Sequence, residues 1–120
     1  MVSENYYLGD KDKEFCEIVW ATAPIRVKDL IALCAERLNW ARSTTLTILR
    51  KFMDRGIFAD EKGIVKVLIS RDDFYSKQSN YYVDKYFKGS LPEFLAAFTS
   101  NKKMSSEEIE QLLTLVRKLQ

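Results

Sequence analysis

Between Thr45 and Ile69 the hydrophobic period of the chain changes once, and that change restricts the fold more than any other feature of its 120 residues. Thr45, Ile48, Leu49 and Phe52 recur at i, i+3, i+4 and i+7, the spacing of a helix with one face in a core. Gly56 suits the stop of that helix. Two β-rich runs follow, 57–59 and 64–69, and the intervening Asp60-Glu61-Lys62-Gly63 reads as a hairpin turn with Lys62 at its tip.

Upstream, residues 14–20 form an apolar-rich helical stretch that Pro24 ends, and 25–27 is short and β-branched. Val27, Leu30, Ile31, Cys34 and Leu38 then make a second helical stripe. Asn39 is the expected N-cap of the third helix, which runs to Arg55. The order is helix, short strand, helix, helix, hairpin. That is the order of a winged helix, a helix-turn-helix followed by a β wing.

From Arg71 onward the pattern is helical only, so the expected division is 1–70 and 71–120. One helix starts at Ser70, with Asp73 placed as a capping-box variant, and ends by Lys88-Gly89. A shorter one opens at Ser90-Leu91-Pro92-Glu93. The last begins at Ser105, with Glu108 as its capping-box partner, and carries Ile109, Leu112, Leu113, Val116 and Leu119 on one face. The whole reads as mainly α with a small β wing. These helices hold more large apolar groups than three short helices can bury alone, among them Tyr82, Tyr86, Leu91, Phe94, Leu95 and Phe98. An interface between two copies is the natural sink, and a two-fold homodimer is the expected form.

The chain contains no histidine, which excludes a Ser-His-Asp triad, a Cys-His dyad and His-ligated zinc. Cys16 and Cys34 lie too far apart for a CxxC motif and read as buried, reduced thiols of a cytoplasmic protein. Four glycines, scattered at 9, 56, 63 and 89, cannot assemble a phosphate-cradling loop. No apolar run is long enough for a membrane span, and no signal peptide opens the chain. An enzyme is not expected, and neither a cofactor nor a metal. The net charge is only +2, but Arg37, Arg42, Arg50, Lys51 and Arg55 crowd the middle while Glu107, Glu108 and Glu110 crowd the end.

Residues 40–56, WARSTTLTILRKFMDRG, resemble the recognition-helix region of the penicillinase-repressor (BlaI, MecI and CopY) family. Glu17-Ile18-Val19-Trp20, residues 84–90, Leu95-Ala96-Ala97-Phe98 and residues 104–112 resemble it as well, so the likeness spans nearly the whole chain. It implies an N-terminal winged helix, a C-terminal dimerisation region and repression of transcription at a palindromic operator in double-stranded DNA. The third helix then lies in the major groove, with its N-terminal residues at base edges. Thr44 and Thr47 can then hydrogen-bond bases or phosphates, Leu46 can pack on a thymine methyl, and Ser43 joins them on the DNA-facing side. Arg42, Arg50 and Lys51, with Lys62 and Lys66 of the hairpin, become phosphate contacts.

Several positions depart from the family pattern. Ala41-Arg42 stand where Ser-Pro is common, Leu46 replaces a basic residue, and the hairpin is short and lacks its run of tyrosines. Nothing after Cys34 is a cysteine, so the metal-binding cluster of copper-sensing members is missing. Resistance-system members are inactivated by a membrane sensor protease that cuts an Asn-Phe bond. The matching positions are Ala97 and Phe98, which keep only the aromatic half, so Phe98 reads first as an interface anchor beside small residues and second as half of a cleavage site. Two other readings remain open on the residues: a winged helix used for protein–protein contact, and a MarR-type regulator with a ligand cavity lined by Trp20, Tyr81 and Tyr82.

Overall fold

The computed structural model describes residues 6–120. Six helices and three short strands follow in the order α1 (Asp10–Thr22), β1 (Ile25–Arg26), α2 (Val27–Leu38), α3 (Arg42–Asp54), β2 (Phe58–Glu61), β3 (Ile64–Val67), α4 (Arg71–Phe87), α5 (Leu91–Thr99) and α6 (Ser106–Lys118). The strands form one antiparallel sheet in the order β1-β3-β2. This is the expected winged helix with helices after it.

Helix α1 starts a turn earlier than its apolar residues indicate. Asp10 and Asp12 in its first turn complement the positive end of the helix dipole. Asn39 does not cap α3. It ends α2 instead, in the left-handed conformation at φ 57°, a geometry that asparagine tolerates better than most side chains. The Trp40 N–H reaches back to the Cys34 carbonyl at 3.3 Å and closes that end. The N-cap of α3 is Ala41, which offers no side-chain acceptor, and the first turn holds no acid. Gly56 ends α3 at φ 78°, as expected, and its N–H bonds the Met53 carbonyl.

The hairpin is tighter than the four-residue turn read from sequence. Lys62 and Gly63 alone make the turn, both at positive φ (53° and 84°), which is the type I′ geometry that matches the twist of paired strands. Asp60 and Glu61 therefore belong to β2, paired with Val65 and Ile64. Strand β3 stops at Val67 rather than Ile69, because the N–H groups of Leu68 and Ile69 both turn to the Ile57 carbonyl.

Two compact units divide at Tyr81/Tyr82, within α4. The core of the first is built from Phe15, Val19, Leu30, Cys34, Leu49, Phe52, Ile57, Phe58, Val65 and Phe74, all buried. Phe15 stacks on Phe52 at 6.1 Å, and Trp20 packs between Phe58 and Phe74 while its indole N–H donates to the Ile69 carbonyl. The first turns of α4 thus belong to the N-terminal core, through Phe74. Ser70 caps α4 by accepting the Asp73 N–H at 3.1 Å.

In the second unit Ser90 caps α5, with Pro92 in the first turn. Ser105 and Glu108 form the complete capping box of α6, both bonds at 3.1 Å. Phe94 meets Phe87 and Phe98 at 5.5 and 6.0 Å. No residue after Phe74 is fully buried.

Candidate nucleic-acid interface

Helix α3 divides cleanly. Thr45, Leu49 and Phe52 are buried in the core, with Ile48 half-buried beside them. Arg42, Ser43, Thr44, Thr47 and Arg50 stand exposed on the other side, and Leu46 is half-buried at the margin. An N-terminus without an acid or a side-chain cap leaves first-turn N–H groups free for an anion, which is how helix ends receive phosphates.

The basic residues nearby are not equivalent. Lys51 turns toward α1, where its ammonium pairs with the Asp12 carboxylate and lies over the Phe52 ring. Arg55 donates to the Tyr7 carbonyl at 2.8 Å. Lys66 pairs with Glu61 at 2.6 Å across the hairpin. By contrast, Arg26, Lys28, Arg42, Arg50 and Lys62 make no side-chain hydrogen bond or ion pair among the described residues.

Four of these unpaired cations converge. Arg26, Lys28, Arg42 and Lys62 line a cleft of about 380 Å³ together with Val27, Ile31, Gly63 and Ile64. The backbone draws three elements to this point. Ile25 and Arg26 pair with Val65 and Ile64, and the Val27 N–H bonds the Gly63 carbonyl at 2.9 Å, so the start of α2 sits against the wing turn. Among the described residues no carboxylate lines the cleft. The β-branching of residues 25–27 does not single out Arg26 or Lys28. Arg26 closes β1 and Lys28 lies in the first turn of α2, and both are exposed while Ile25 and Val27 beside them are half-buried.

Of the residues expected at a dimer interface, Tyr82, Tyr86, Leu91, Phe98, Ile109, Leu113 and Val116 are exposed. Phe94, Leu95 and Leu112 are half-buried. Ala97 and Phe98 sit in the last turn of α5, both exposed. Cys16 and Cys34 are buried free thiols, and burial pushes both above their ordinary range, the Thr45 hydroxyl holding Cys34 back in part. Among the described residues no cluster of carboxylates or thiols could hold a metal ion, and no helix is long and apolar enough to cross a membrane.

The penicillinase-repressor family model matches residues 8–118. The methicillin resistance regulatory protein MecI of Staphylococcus aureus strain Mu50 is 24% identical over 123 aligned residues, covering 98% of this chain and 99% of the relative. The penicillinase repressor of Bacillus licheniformis is 23% identical over 113, covering 91% of this chain and 88% of the relative. The MecI protein of Mammaliicoccus sciuri is 23% identical with the coverage of the first. Members of this family are winged-helix transcriptional repressors rather than enzymes. With a winged helix in place and a family match that runs from before α1 to the end of α6, the chain belongs to the penicillinase-repressor family.

Proposed function

We propose that this chain represses transcription from the cytoplasm by binding a palindromic operator in double-stranded DNA as a homodimer. Helix α3 enters the major groove, with Ser43, Thr44, Leu46 and Thr47 toward base edges and Arg50 on a phosphate. The cleft of Arg26, Lys28, Arg42 and Lys62 receives the flanking backbone. The observation that supports this reading is that cleft: four cations meet there with no counter-ion among the described residues, while Lys51, Arg55 and Lys66 are already engaged within the protein. Lys51 and Lys66 therefore contribute less to phosphate binding than their positions in sequence imply.

Dimerisation falls to the region after the first turns of α4, since Phe74 and Tyr75 are used by the N-terminal core. The exposed apolar side chains of α5 and α6 supply the interface. Release by a sensor protease cuts at or near Ala97–Phe98, where Phe98 is 52% exposed. Mass spectrometry of the chain from induced cells should then show fragments ending there, and an intact chain freed from DNA would point to another signal.

The salt dependence of binding to unrelated duplex DNA tests the reading against that of a protein–protein module. A phosphate-binding surface releases counter-ions, so the logarithm of affinity should fall steeply and linearly with the logarithm of salt concentration. A flat dependence, or no binding at low salt, would reject DNA as the partner.

A further inference from the structure

Two kinds of side chain meet in the cleft where the wing turn faces the starts of α2 and α3. The first kind is cationic. Arg26, Lys28, Arg42 and Lys62 are all exposed there, and none has a side-chain partner among the described residues. The wing carboxylates are engaged within the hairpin itself: Asp60 accepts the Gly63 N–H at 2.8 Å, and Glu61 holds Lys66 at 2.6 Å. The second kind is apolar. Ile31 and Ile64 line the same cleft half-buried, and neither is among the side chains that pack on the buried core. Backbone bonds hold the two kinds together, since Arg26 pairs with Ile64 and the Val27 N–H donates to the Gly63 carbonyl at 2.9 Å. At about 380 Å³ the cleft falls in the range of about 300–1,000 Å³ in which small-molecule sites occur.

We infer that this cleft binds a nucleoside polyphosphate, and that the bound nucleotide and DNA exclude one another. The inference rests on the reading of the same cations as a seat for the DNA backbone. Four positive charges gathered in one place repel each other, and an anion carrying about three or four charges relieves that repulsion more fully than a phosphodiester carrying about one. The guanidinium groups of Arg26 and Arg42 can each grip two phosphate oxygens, while Lys28 and Lys62 act as point charges. Ile31 and Ile64 give the other half of the ligand its place, because a base or ribose laid on them removes apolar surface from water. A purely inorganic anion leaves that surface wet. Arg42 is the first residue of α3, so a ligand on its guanidinium takes away a phosphate contact at the start of the helix placed in the major groove. Duplex affinity therefore falls as nucleotide rises, with no change of fold required.

Calorimetric titration of the full chain with adenosine triphosphate tests the site, and inorganic triphosphate tests its apolar half. Both are run at fixed ionic strength without divalent metal. The unaltered protein should bind the nucleotide saturably, and at least about threefold more tightly than inorganic triphosphate, the scale of burying a methylene-sized group or two. Lys28→Gln combined with Lys62→Asn, in which asparagine tolerates the positive φ of the wing turn, should weaken nucleotide binding at least about tenfold. Lys77→Gln, which removes an exposed charge from α4, should stay within about twofold. Ile31→Ala should bring the two ligands within about twofold of each other. Thermal melting verifies that each variant is folded. In a second titration, an unrelated duplex should be bound at least about fivefold more weakly when nucleotide is present at about ten times its dissociation constant. No saturable nucleotide binding, equal affinity for inorganic triphosphate, or a Lys77 variant as weak as the cleft variant would overturn the inference and leave the DNA reading in place. Duplex binding that the nucleotide leaves unchanged would do the same. Binding of nucleotide but of no duplex would overturn the DNA reading, and the mutual exclusion with it.

Discussion

A side chain that reads a base and one that clamps a phosphate fail differently when truncated, and the exposed face of α3 offers both kinds. Thr44→Ala and Thr47→Ala should each reduce the preference for operator over unrelated duplex, by about 1–3 kcal/mol where the hydroxyl makes a good base contact. Competition binding measures this, and equal losses on both duplexes would remove these threonines from base reading. Lys28→Ala should weaken binding to every duplex alike and lower the salt slope by about one. Lys51→Ala should leave the slope almost unchanged and lower the melting temperature instead, because its ammonium already neutralises Asp12. A Lys51 variant with the larger slope change would reverse the assignment. Here the sequence is legible only in part. Helical spacing separates Thr45, Leu49 and Phe52 from Thr44 and Thr47 without difficulty. It cannot show that Lys51 has a partner 39 residues away, nor that Arg26 and Lys28 reach the same cleft as Arg42 and Lys62. Those facts depend on how α1, β1 and the wing fold against α3.

At the scale of single elements, turn and cap chemistry explains both the agreements and the departures. The capping box of α6 and the serine caps of α4 and α5 need only residues three apart, so they can be read directly. Asn39 is ambiguous in sequence, since asparagine suits a helix start and a left-handed helix end equally well. The Trp40–Cys34 bond decides for the end of α2. In the wing, Gly63 at φ 84° holds a conformation that costs an ordinary side chain about 1–2 kcal/mol. There is open space around it, so Gly63→Ala tests conformation without adding a clash. The variant should be less stable by about that amount and should weaken duplex binding by misplacing Lys62. Denaturant unfolding and a binding titration check the two parts, and unchanged stability would argue against the type I′ turn.

For the whole molecule, the N-terminal unit has an aromatic-rich core and the C-terminal unit has none that is fully closed. The apolar surplus of the second half is legible in the sequence, whereas the division within α4 is not, because Phe74 and Tyr82 look alike until one is seen packed on Trp20. Sedimentation of the full chain at micromolar concentration should give a dimer, and Leu113→Glu should shift it to monomer; a monomeric parent would remove the proposed interface. The buried thiols make stability depend on alkaline pH. Cys16 and Cys34 are held protonated in the fold by burial, while in the unfolded chain they ionise at about 8.5. Their folded values are raised, so this contribution is complete below about pH 8.5 and declines as the pH rises above it. Denaturation midpoints at pH 7.5 and 10 should show the fall, and a Cys16→Ala, Cys34→Ala variant should show less of it; identical slopes would exclude the thiols as its source. The central claim, that two copies present α3 and the basic cleft to duplex DNA, is tested most directly by selecting bound duplexes from a random pool with the full-length protein. The account predicts enrichment of an inverted repeat with one dominant half-site separation. Recovery of no common sequence, or of unpaired single sites only, would contradict it.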